Sequence, residues 1–152
     1  MDLKIFLKSL NIIHLFLVTG LSVVTLYVIW QINSFNASNF EDNLFLYVVP
    51  ILALIGYFGS QLLFRKLTTR INPSIALEEK LKKYQSFLLI KYALIEFPAF
   101  IGLMAYYSSG NALPLVISIC LLAYFSVQRP TKENIIKWVP LSREEQLKIQ
   151  QI

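Results

Sequence analysis

Four apolar runs, separated by polar stretches, organise this chain. They cover residues 10–30, 44–64, 87–107 and 113–127. The first three are each about 20 residues long, the length at which a helix crosses a bilayer core. The fourth is shorter, and Gln128 and Arg129 at its end can snorkel to lengthen it. The pattern predicts an all-α fold: a four-transmembrane-helix bundle with an up-down-up-down course. Residues 1–130 would form the membrane domain, and 131–152 a cytoplasmic amphipathic tail ending in a short helix.

Local signals refine this outline. Lys4 and Lys8 precede the first run as in a signal peptide. The run exceeds a signal core of about 7–15 residues, and no small-x-small pattern follows, so an uncleaved span is expected. Trp30 ends it as an interfacial aromatic anchor. Pro50, in the second turn of the second span, predicts a kink. Gly56 and Gly59 thin one side of that span and admit a neighbour. Asn72-Pro73-Ser74 reads as a helix cap with a compatible proline. A charged turn with Glu78, Glu79, Lys80, Lys82 and Lys83 follows, so the third element would protrude before its span begins. Gly110-Asn111 is a breaker between spans three and four. Pro114 falls in a first turn, where proline is tolerated. In the tail, Ile135, Ile136, Trp138 and Val139 suit a short helix at the interface. Ser142 with Glu145 is a capping-box signature for a last helix from Arg143. Asn36-Ala37-Ser38 matches a glycosylation sequon, a pattern common by chance.

Composition places the chain in the membrane class: 56% of residues are hydrophobic and 15% are charged. The formal charge of +5 could suggest nucleic acid, but the placement of the cations argues otherwise. Of 14 Lys and Arg, two precede span one, six lie between spans two and three, and five follow span four. Only Lys91 lies inside a span. The two opposite connections, 31–43 and 108–112, hold none. The positive-inside rule then puts both termini in the cytoplasm. The expected partners are the lipid bilayer and either further copies of the chain or other membrane subunits, with no nucleic acid. Cys120 is alone, so it forms no internal disulfide and reads as a small buried hydrophobe.

Candidate chemistry centres on Glu96. It lies about 14 Å into span three, near the midplane, and a carboxylate there is costly. Its helical face also carries Tyr92. Protonated at neutral pH, it would hydrogen-bond a facing span, with Tyr57 and Ser118 at similar depth. Lys91 lies about 6 Å into the same span and points about 140° away from Glu96 around the helix. Lys91, with Arg65 and Lys66, would snorkel toward lipid head groups. His14, near the inner end of span one, reads as an interfacial or inter-helix histidine, with a proton relay to Glu96 as the sharper alternative. No metal-ligand set, catalytic triad, phosphate-cradling loop or cofactor motif is present in the sequence.

Two blocks, KYALIEFPAFIGLMAYYSSGN from Lys91 and VQRPTKENIIKWVPLSREEQ further on, resemble a group of small four-span membrane proteins of Bacteroidota. The matching residues are Glu96, Pro98, Gly110, Asn111, Arg129, Pro130, Thr131, Leu141, Ser142 and Glu145. The resemblance covers roughly the last 60 residues. It implies an envelope location, in a bacterial inner membrane, and says little of activity. The functional expectation is a membrane component without enzymatic activity, structural or accessory, in a self-assembled or larger complex. The alternative is an oligomeric proton-coupled transporter or ion conductor that uses Glu96.

Overall fold

The longest helix is the hub. In a computed structural model, which describes residues 2–32 and 44–151, α3 spans Leu77–Ser109. Tyr84, Leu88, Tyr92, Ile95, Ala99, Leu103 and Tyr106 recur at three- and four-residue spacing and are all buried. That stripe is the seam on which the other helices pack. α1 is Leu3–Ile32, α2 is Phe45–Thr68 and α4 is Ala112–Val127. α3 packs most extensively on α2 and α4, and α1 lies against α3 and α4. Two short helices follow, α5 Lys132–Trp138 and α6 Arg143–Gln150. No strand occurs among the described residues. The sequon and the rest of the 33–43 connection lie outside them.

Side-chain pairs give the helix directions. Gly56 of α2 meets Leu94 and Pro98, and Phe64 meets Tyr84, so α2 runs against α3. Ser118 of α4 meets Ala99, and Gln128 meets Tyr92, so α4 also runs against α3. His14 meets Tyr92, while Val24 and Val28 border Phe100 and Tyr107, so α1 runs with α3. The clustered Lys and Arg residues therefore gather at one end of the bundle, called here the basic end.

Glycine sets two of the close approaches. A Cβ at Gly56 would lie 2.5 Å from the Leu94 carbonyl oxygen and from the Pro98 ring. A Cβ at Gly102 would collide with Ser118 Oγ and come 2.9 Å from the Pro114 carbonyl. Gly59, expected to act like Gly56, has open space around it.

The start of α3 also differs from expectation. Asn72 does not cap it: the Asn72 side chain accepts from the Ser74 backbone N–H at 2.9 Å. This local turn uses the side chain before any helix begins. The N-cap position falls on Ala76, without a side-chain cap. At its other end α3 stops on Gly110, left-handed at φ 66°. Asn111 then caps α4 by accepting from Leu113 N–H at 3.0 Å. The capping box at Ser142 and Glu145 is formed, and α6 begins at Arg143 as expected.

The outer surface is apolar. Phe16 and Trp30 on α1 are 76% and 77% exposed, and Ile51, Leu54, Phe58 and Leu62 continue the pattern on α2. Water does not tolerate so continuous a face, whereas hydrocarbon does. Three helices are long and apolar enough to cross a membrane, or four if α4 and α5, bent by 89°, make one span. These are the marks of a multi-pass membrane protein.

Candidate functional site

The last turn of α4 leaves carbonyls without intrahelical donors. The Phe125 carbonyl accepts from the Gln128 backbone N–H at 2.9 Å, and two other helices supply further donors. His14 of α1 is buried, and its Nε2 lies 3.0 Å from the Phe125 carbonyl oxygen. A carbonyl only accepts, so Nε2 carries the proton. Tyr92 of α3 donates its hydroxyl to the Gln128 carbonyl at 2.9 Å. The rings of His14, Tyr92 and Phe125 pack together with centroids 5.1–5.2 Å apart. His14 and Tyr92 thus form one inter-helix cluster.

Lys91 turns the other way. Its Nζ donates to Gln128 Oε1 at 2.6 Å and sits 5.0 Å from the centre of the Phe64 ring. Arg129 precedes Pro130, which cannot continue a helix and biases the residue before it away from helical backbone. The chain turns sharply there, and α5 folds back toward α2. Trp138 then packs on Phe64 at 5.7 Å.

This fold-back encloses a cavity of about 410 Å³ at the basic end, within the usual size of a small-molecule site. Arg65 comes from α2, Lys91 from α3, Arg129 from the α4–α5 turn and Lys137 from α5. Gln61, Gln128 and Asn134 add amides, and Tyr124 and Trp138 add polar-edged rings. Among the described residues no acidic side chain lines it. Lys91 is held by a neutral amide and Lys137 lies 5.3 Å over Trp138, so neither charge is neutralised by a carboxylate there. Four cations around one concavity focus a positive potential. Their donors, including two guanidinium forks, suit a phosphate or carboxylate. Of the expected head-group residues, Arg65 and Lys91 line this cavity and Lys66 does not.

The proposed Glu96 constellation is not assembled. Glu96 is half-buried, with no hydrogen bond or ion pair to another described residue. Ser118 donates instead to the Ala99 and Pro114 carbonyls, each at 2.9 Å. Tyr57 packs on Tyr124 at 4.8 Å, between α2 and α4. Helix geometry explains the separation. Gly102, which admits Ser118, is about 120° from Glu96 around α3, and Pro98, which meets α2, is about 160° away. Glu96 therefore lies at the edge of the buried seam, off the points where Gly102 and Pro98 meet α4 and α2. Cys120, expected to be buried, is exposed on α4.

Gln61, Tyr124, Gln128, Arg129 and Lys137 were not read as site residues from the sequence. Arg129-Pro130 was the available signal, since it forces a turn immediately after a span. Among the described residues no group of His, Cys, Asp or Glu could hold a metal ion. Comparison with protein-family models, with curated proteins and with solved structures finds no match.

Proposed function

We propose that this chain is a non-catalytic accessory component of a membrane complex that works by binding a phosphate-bearing anion at its basic end. The observation that carries the reading is the cavity itself: Arg65, Lys91, Arg129 and Lys137 converge without a carboxylate among its lining residues. Basic pockets between membrane helices are the usual receptors for anionic head groups. The charge bias of the connections supports an up-down-up-down course with both termini and this cavity on the cytoplasmic side. The resemblance to small four-span envelope proteins supports a place in the inner membrane. Detergent-purified protein should gain thermal stability with added glycerol phosphate, in a salt-sensitive way. An Arg65→Gln, Arg129→Gln double variant should lose that gain. A wild-type melting curve indifferent to the anion would refute the reading. Assembly is read from co-purification after gentle solubilisation, and a partner-free monomer in several detergents counts against it.

Glu96 favours a second reading. A half-buried acid without a partner on a membrane helix suits ion or proton coupling in an oligomer. Glu96→Gln would abolish proton-coupled flux in proteoliposomes while the fold persists. Without flux in the wild-type protein, this reading falls.

A further inference from the structure

A second concavity adjoins the basic one. It is a groove of about 450 Å³ between α2 and α4, bordered by Pro50, Ala53, Tyr57, Val116, Cys120 and Tyr124. Apart from the two tyrosines, these side chains offer nothing to a polar ligand. Tyr124 borders both spaces. Its ring packs at a tilt against Tyr57, and its hydroxyl accepts from Gln61 Nε2 at 2.9 Å. One side chain thus stands between the charged cavity and the apolar groove.

The order of the two spaces matches a bilayer. α2 and α4 both run toward the basic end, so the groove extends from Tyr57 and Tyr124 back toward Pro50 and Val116, deeper among the spans. The distance along α4 from Tyr124 to Val116 is about 12 Å. A ligand filling both spaces needs an anionic head at the membrane surface and an apolar chain directed to the membrane interior.

We infer that the cavity and groove together form a binding site for one anionic glycerophospholipid, its phosphate among Arg65, Lys91, Arg129 and Lys137 and an acyl chain along the α2–α4 groove. This rests on the anion-binding reading above and goes further by naming the ligand as a lipid. A free phosphate uses the cavity alone. The head group supplies most of the affinity, because an acyl chain leaving surrounding lipid for the groove gains little. The groove fixes the orientation of the bound lipid.

Cys120 makes the distinction measurable, since it is the only cysteine in the chain and borders the groove. Delipidated protein in a neutral detergent is titrated with phosphatidylglycerol, phosphatidylcholine or glycerol phosphate. Binding is read by native mass spectrometry and by melting temperature, and groove occupancy by the rate of Cys120 alkylation with an apolar maleimide. Phosphatidylglycerol is expected to bind and to slow Cys120 alkylation several-fold, whereas phosphatidylcholine does neither. Glycerol phosphate is expected to raise the melting temperature while leaving alkylation unchanged. Arg65→Gln with Arg129→Gln should weaken phosphatidylglycerol about tenfold or more. Val116→Trp fills the groove from an exposed position, and should release the lipid while glycerol phosphate still binds. If phosphatidylglycerol binds without shielding Cys120 and Val116→Trp is without effect, the lipid site is wrong and the anion reading stands. If no anion binds, both fall.

Discussion

Lys80 of α3 donates to both carboxylate oxygens of Glu145 in α6, at 3.1 and 2.8 Å. The lysine is 2% exposed and the glutamate 17%. Glu145 also accepts from the Ser142 backbone N–H at 2.7 Å, within the capping box. A single carboxylate therefore starts the last helix and ties it to the central one. Removing one partner of a fully buried pair costs about 3–5 kcal/mol. Solvent reaches Glu145, so about 2 kcal/mol is expected for Glu145→Gln. Glutamine keeps the capping box, which isolates the charge. Chemical unfolding in detergent, compared with wild type, measures it.

The same pair predicts a pH dependence. Burial pushes the Glu145 carboxyl up, but hydrogen bonds from Lys80 and the Ser142 backbone, with the Lys80 charge, outweigh it and hold the group below its ordinary 4.5. A carboxyl lowered by folding stabilises the fold above its unfolded value. That contribution is complete well above pH 4.5 and disappears as pH falls through the lower folded value. The stability difference between wild type and Glu145→Gln should thus be largest at pH 7 and vanish in acid. A difference that grows on acidification contradicts the assignment.

Gly102→Ala should cost about 1–3 kcal/mol, since its Cβ meets Ser118 Oγ and the Pro114 carbonyl. Gly59→Ala, with open space around it, should be neutral or slightly stabilising. Paired melting curves in one detergent separate the two.

Tyr92→Phe removes the donor to the Gln128 carbonyl, and about 1 kcal/mol of stability should go with it. His14→Leu removes the donor to the Phe125 carbonyl and should loosen α1 from α4 by a similar amount. Protease cleavage in the 33–43 connection should become faster in the His14 variant if α1 detaches.

Reporter fusions after Asn36 and Gly110 should read as external, and those after Arg70 and the C-terminus as cytoplasmic. A cytoplasmic signal at Asn36 would overturn the proposed course.

The helices were legible because their signals are local. The apolar run from Phe87, the Gly110-Asn111 break and the Ser142–Glu145 capping box each act within a few residues. Gly56 could be read as a contact point, but nothing nearby distinguished it from Gly59, because only the partner helix decides which glycine is approached. Asn72 misled for the opposite reason: its side chain was used by Ser74 before a helix formed. Lys80 looked like one more topological marker, and its burial depends on Glu145, 65 residues away. The basic cavity was hidden in the same way. Arg65, Lys91, Arg129 and Lys137 meet only because three helices converge and the chain turns by 89° around Pro130, and periodicity carries no information about such a meeting.

The shortness of α4 has a consequence for the surrounding membrane. Its 16 residues extend about 24 Å, against a hydrocarbon thickness of about 30 Å. The 33 residues of neighbouring α3 extend about 50 Å. If α4 crosses the membrane as a fourth span, it would be hydrophobically mismatched on one flank of the protein. Lipids beside it would then shorten or tilt, at a fraction of a kcal/mol for each ångström. The protein would carry a dimple in one leaflet, centred on α4, and would gather in thinner regions of a membrane of mixed thickness.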